Sequence, residues 1–154
     1  MLRSLIVLLM LVVAPNLSGA QQRVGDITVS AAWSRATPAA APIAGAYVEI
    51  RNDGSSSDRL VGATVYVAGR VEIHEMTVVD GVMRMRPLSS GLPIPSGEIV
   101  TLRPGSYHLM LMELRRPLVQ GERIKGTLVF ERAGSIDAEF DVGAIGAAGP
   151  PPRR

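Results

Sequence analysis

At 154 residues, 47% of them hydrophobic, the chain is long enough for one domain with its own core. Its 16 lysines and arginines nearly balance 14 aspartates and glutamates, with no dense basic run and only 4% aromatic residues, which excludes a nucleic-acid binder. It has no cysteine, so disulfides are excluded and stability rests on the core.

The first element is a leader. "MLRSLIVLLMLVVAPNLSGA" has a positive start at Arg3, an apolar run from Leu5 to Val13, a breaker at Pro15, and small residues Ser18 and Ala20. This pattern predicts a signal peptide over 1–20, cut after Ala20, and an exported mature protein. The run is short of the ~20 apolar residues of a membrane span, so no stable membrane insertion is expected after cleavage. Without Arg3, 15 basic residues oppose 14 acidic ones, a net charge of +1.

The mature chain alternates short runs of β-formers with turn residues. Strands are expected near 27–33, 45–52, 58–66, 70–79, 82–86, 98–102, 107–114, 122–131 and 135–142. The punctuation is "NDGSSSD" at 52–58, "DG" at 80–81, "SSGLPIPSGE" at 89–98, "RPGS" at 103–106 and "AGS" at 133–135. Many short strands at this spacing predict an all-β domain over 21–145, a Greek-key β-barrel or sandwich. The alanine-rich 36–45 stretch holds Pro38 and Pro42 and is read as a loop. The tail "GAAGPPPRR", 146–154, has no apolar pattern and is expected to be disordered.

"VEIHEMTVVDGVMRMRPL", residues 71–88, carries one of the two histidines and three of the seven methionines. Asp80-Gly81 is the preferred pair for a two-residue type I′ hairpin turn. That turn sets Val79 opposite Val82, Val78 opposite Met83, Thr77 opposite Arg84, Met76 opposite Met85 and Glu75 opposite Arg86. One face then carries His74, Met76, Val78, Met83 and Met85, because side chains alternate. The other carries Ile73, Glu75, Thr77, Val79, Val82, Arg84 and Arg86. The Glu75–Arg86 pair points this second face at water, where it adds roughly 0–1 kcal/mol. "YHLMLMEL", 107–114, obeys the same period: His108, Met110 and Met112 share one face, Tyr107, Leu109 and Leu111 the other. Gly105 supplies the turn before it.

Imidazole with thioether suits Cu(I), a soft ion, and neither donor need lose a proton to bind it. Thioethers also avoid the thiol–disulfide chemistry of an oxidising compartment. Zinc fits poorly, since it takes thiolate, imidazole or carboxylate. The competing reading is that these methionines fill a core and the histidines are structural.

"HEMTVVDGVMRM" followed by "LRPGSYHLMLMEL" resembles the periplasmic PCu(A)C copper chaperones, whose pattern is His, ten residues, Met, just over twenty residues, then His-x-Met. Here ten residues separate His74 from Met85, and 22 separate Met85 from His108, about one more than the family pattern. "AAWSRATP", "GAYVEIRNDG" and "DRLVGA" are similar to early segments of the family, so the resemblance spans about 26–131. It implies a cupredoxin-like β-barrel and a Cu(I) site made by His74, Met85, His108 and Met110. It also implies a copper-accepting partner in cytochrome c oxidase assembly. Some members add a Cu(II) site on a His/Met-rich tail; this tail has neither residue.

The alternatives are weaker. A blue-copper electron carrier needs a cysteine ligand. A hydrolase needs a nucleophile, base and orienter; Ser106 and His108 are the nearest pair, and nothing marks a nucleophile elbow, so no enzyme is expected. A non-metal β-sandwich interaction module would use the Met-rich face for docking. Trp33 is read as a core or lid aromatic. Arg84, Arg86, Arg103, Arg115 and Arg116 form either a solvated rim or a docking patch for an acidic partner. Met76 and Met83 share the face of Met85 and remain alternative donors.

Overall fold

The structure, a computed structural model, describes residues 21–152. The expected leader, 1–20, lies outside them. The described residues form eleven strands and no helix: β1 (Gln22–Val24), β2 (Ile27–Arg35), β3 (Ile43–Asn52), β4 (Asp58–Val65), β5 (Ala68–Val79), β6 (Val82–Pro87), β7 (Leu92–Ile94), β8 (Ile99–Leu102), β9 (His108–Leu114), β10 (Arg123–Phe130) and β11 (Gly134–Gly143). The all-β expectation holds, and each of the nine expected strands has its counterpart. The two additions, β1 and β7, are three residues each and too short to show a period.

One hydrogen-bonded sheet runs β6-β5-β9-β3-β2-β11-β10-β4-β7, with β1 added to β2 and β8 to β3. Most neighbours are not consecutive in the chain, as a Greek key requires. Every pairing is antiparallel except that of β11 with β2. Strand β3 is shared along its length: Ile43–Ala46 pair with β9, and Val48–Arg51 pair with β8. The 103–107 turn joins β8 to β9 at this handover, closed by Ser106 N–H to Arg103 O (3.1 Å) and Arg103 N–H to Tyr107 O (2.9 Å).

Alternation places one face of each strand in a single core. Ile27, Val29, Ala46, Val48, Ile50, Ile73, Leu109, Leu111, Leu128 and Phe140 are buried there together. The connections are held by buried polar side chains. Asn52 donates from Nδ2 to Ser56 O (2.9 Å) and Ile94 O (3.0 Å) and accepts from Gly54 N–H (2.9 Å), fixing the 52–58 loop. Asp58 accepts from the backbone N–H groups of Arg59, Arg132 and Ala133, which ties β4 to the β10–β11 turn.

The 144–152 segment forms no strand or helix. It lies against the domain at Ala147 and Pro151: Arg35 Nε donates to Ala147 O (2.7 Å), and a Cβ on Gly143 would meet Ala147 at 3.3 Å and Pro151 at 3.6 Å.

Candidate functional site

The hairpin of β5 and β6 has the register expected from its turn. Val79 pairs with Val82, Val78 with Met83, Thr77 with Arg84, Met76 with Met85 and Glu75 with Arg86. Asp80 and Gly81 have φ of 51° and 75°, the doubly positive backbone of a type I′ turn. Arg86 Nε donates to Glu75 Oε2 at 2.8 Å. The hairpin protrudes beyond the end of β9, so its tip meets water on both faces: Val78, Val79, Val82 and Met83 are all exposed.

What the hairpin cannot supply alone, β9 provides. It pairs antiparallel with β5, setting His108 opposite His74, Met110 opposite Glu72 and Met112 opposite Arg70. The two imidazole rings stand edge to face with centroids 5.6 Å apart. His74 also pairs with Pro87 on β6. Met85 and Met110 therefore occupy the two diagonals from His74, positions ~7–8 Å away and within reach of long side chains. His74, Met85, His108 and Met110 thus share one face, with His74 adjacent to the other three. Met76 lies on that face too, next along β5 and opposite Met85. Below them Ile73, Leu109 and Leu111 enter the core, the last two with 0% exposure. The methionines are more open, Met85 being 46% exposed and Met83 69%.

The electrostatics of the histidines differ from those of other buried polar groups. Among the described residues only two buried side-chain polar atoms lack a hydrogen-bond partner, His74 Nδ1 and His108 Nε2. An unpaired buried polar atom costs ~1–3 kcal/mol, so two in one place call for a ligand or a special role. His108 is 4% exposed, and its Nδ1 lies 3.0 Å from Ser106 O. A carbonyl only accepts, so Nδ1 carries the proton and Nε2 keeps its lone pair. Burial pushes the His108 pKa down; the hydrogen bond to Ser106 opposes this, and a charged His74 would push it down further. The ring is thus held neutral, the form that binds metal. His74 Nε2 lies 2.8 Å from Glu72 Oε2. The His74 hydrogen bond holds the Glu72 carboxyl below its usual range, against partial desolvation and with help from Arg70.

Two expectations are refined. Trp33 is buried but lies outside the main core cluster. A bulge at Ala31 (φ 49°) shifts the β2–β3 register between Ser30 and Trp33 and so turns Trp33 to the side of Tyr47. Their rings meet at 4.6 Å between centroids, and the Tyr47 hydroxyl sits over Gly45, whose partner on β9 is Met110. Trp33 therefore lies on the same side of the sheet as Met110 and His108, two strands from β9. The arginines divide as well. Arg115 donates to Tyr66 O (3.0 Å) and Arg116 to both oxygens of Glu122 (2.8 and 2.9 Å), all past the far end of β9. They belong to a rim. Arg84 and Arg86 are exposed on the hairpin, on the face away from His74.

Glu72 and Arg70 were not picked out from sequence, although strand alternation puts both on the His74 face. Among the described residues no group of three or more His, Cys, Asp and Glu is arranged to hold a metal, so thioethers must complete any site here. No helix among them is long and apolar enough to cross a membrane.

Comparison with known proteins agrees with this fold. The family model "Putative lipoprotein LpqE-like" matches residues 27–142. "Putative lipoprotein Lxx21020" from Leifsonia xyli subsp. xyli (strain CTCB07) is 38% identical over 104 residues, covering 68% of this chain and 61% of that protein. The chain thus spans about three fifths of the relative's length. Among solved structures, the copper-bound PCuAC domain from PmoF2 superposes with a TM-score of 0.70 at 26% identity, over 81% of this chain and 98% of that one. The apo PCuAC domain from PmoF1 gives 0.69 at 27%, over 81% and 99%. CuI-DR1885 from Deinococcus radiodurans gives 0.59 at 28%, over 78% of each chain. With a family match across three quarters of its length and a fold shared with PCuAC domains almost end to end, this chain belongs to the LpqE-like family and carries a PCuAC-type domain.

Proposed function

We propose that this protein is an exported copper chaperone that holds one Cu(I) through His74, His108, Met110 and Met85 and passes it to a copper-accepting protein, such as the copper centre of cytochrome c oxidase. The observation that carries the reading is the pair of partnerless buried imidazole nitrogens on a face whose other soft atoms are thioether sulfurs. Two neutral imidazoles and two thioethers form a soft, uncharged donor set, which favours Cu(I) over zinc or Cu(II). The relatives described as copper-bound PCuAC domain and CuI-DR1885 support the same ion. Export fits a copper site without thiols, the leader pattern of 1–20, and a relative named as a lipoprotein. Nothing in the site supplies a nucleophile with its base, which supports carriage rather than catalysis.

Transfer follows from exposure. His108 is buried and His74 nearly so, with 11% of its side chain exposed, while Met85 is half in water. A partner's donor can replace that neutral sulfur first, and copper stays reduced in a shared-ligand intermediate.

Anaerobic titration against a competing Cu(I) chelator is the test. One equivalent should bind, and the His74→Ala, His108→Ala double variant should bind none while remaining folded. A non-metal interaction module would bind no copper in either form. In cells short of copper, loss of the protein should lower oxidase activity, and added copper should restore it by mass action. Full activity from the folded double variant under those conditions would overturn the chaperone reading. Mass spectrometry of exported protein should find Gln21 at the N-terminus.

A further inference from the structure

We propose that Glu72 is a positioning residue for this site: its carboxylate holds His74 by the Nε2 proton, so that Nδ1 is the nitrogen offered to the metal, and Arg70 anchors the carboxylate. The inference rests on the copper reading above and deepens it.

Arg70, Glu72 and His74 alternate along β5 and therefore share the metal-facing side of the strand. The two oxygens of Glu72 are divided between its neighbours. Oε2 is 2.8 Å from His74 Nε2, and Oε1 is 3.3 Å from Arg70 Nε. Arg70 reaches across to β9 as well, with Nη2 3.3 Å from the sulfur of Met112, its register partner. The carboxylate is thus held from two sides.

The proton count follows. An ionised carboxylate only accepts, so Nε2 of His74 carries the hydrogen. A neutral imidazole has one N–H, which leaves the lone pair on Nδ1. That atom is the buried nitrogen without a partner. The facing histidine reaches the same result by another route, since His108 gives its Nδ1 proton to the Ser106 carbonyl and keeps Nε2 free. One ring is set by backbone and the other by a side chain, so only His74 can be released by substitution. Holding Glu72 in this way also keeps a hard oxygen donor off the metal. Outer-sphere carboxylates of this kind raise metal affinity ~10–100-fold by fixing ring orientation.

The test uses two readouts on wild type, Glu72→Gln and Glu72→Ala. In the ¹⁵N-labelled apo protein at neutral pH, the His74 Nε2 proton should be visible and protected from exchange. It should persist in Glu72→Gln, whose amide oxygen still accepts, and vanish in Glu72→Ala. Cu(I) affinity should fall ~10–100-fold in Glu72→Ala and less in Glu72→Gln. Glu72→Leu gives the same two readouts if the alanine variant folds poorly, since it keeps side-chain bulk on the strand. A protected proton that survives in Glu72→Ala, or an unchanged Cu(I) affinity, overturns the inference alone. A wild-type protein that binds no Cu(I) overturns the copper reading and this inference together.

Discussion

Strand β5 is held differently at its two ends. From Ala68 to His74 it pairs with β9 and lies over the core; from His74 to Val79 it pairs with β6 and projects into water. His74 is the β5 residue with a register partner on both sides, His108 and Pro87. The imidazoles belong to the anchored half, where packing fixes them. Met76, Met83 and Met85 belong to the projecting half, where little does. A carrier needs both properties. In the proposed site, rigid nitrogens would fix where copper sits, and a sulfur on a hairpin with few tertiary contacts would yield to a partner, because regions of low contact open most readily.

The contrast can be broken most severely from beneath. Leu109→Ala or Leu111→Ala should cost ~2–5 kcal/mol of stability, as for other buried leucines. Val82→Ala at the tip should stay within about 0.5 kcal/mol. Urea unfolding of the three variants measures both, and equal losses would mean that the tip packs as tightly as the base.

Removing one anchored nitrogen is the next largest effect. His108→Ala should weaken Cu(I) binding by at least the ~10–100-fold that outer-sphere losses cause. Chelator competition on the folded variant measures it. Removing one sulfur should matter less: Met85→Ala is expected to lose about tenfold, or ~1.4 kcal/mol. Met76→Ala and Met83→Ala should lose less than that. A larger loss at Met76 would move the sulfur ligand from β6 to β5, beside His74.

The smallest effect expected is on the apo fold in acid. Burial sets the folded pKa of His108 below its ordinary value of 6.5. Between the folded pKa and 6.5 the unfolded chain binds more protons, so folding is favoured most above about 6.5 and less as pH falls through the folded pKa. The urea midpoint of apo protein should drop across that window and level off below it. A His108→Asn variant should show a shallower drop. A metal-bound sample should lose copper over a similar range, because protons compete for the imidazoles.

Much of this was legible in the chain. Asp80-Gly81 set the hairpin register by local backbone preference, and each pair expected from it is present. The parity of His108, Met110 and Met112 followed from strand alternation, and Leu109 and Leu111 took the core face. Trp33 was not legible, because the bulge at Ala31 reverses its face and no residue type announces it. Glu72 passed unnoticed because a carboxylate beside an arginine on a strand reads as solvated surface until its partner at 2.8 Å is known.

The sequence by itself determined the class of fold, the hairpin and the soft character of the donors, since turn chemistry, two-residue alternation and residue type are local properties. It did not determine that His74 stands opposite His108. That pairing joins strands separated by the whole of β6, β7 and β8, and register between distant strands depends on which apolar faces the core accepts. Nor did it determine which ring nitrogens are left without partners. Those were decided by Ser106 at the handover from β8 to β9 and by Glu72 on β5, because a hydrogen bond only a few ångströms long needs the assembled sheet to bring its two ends together.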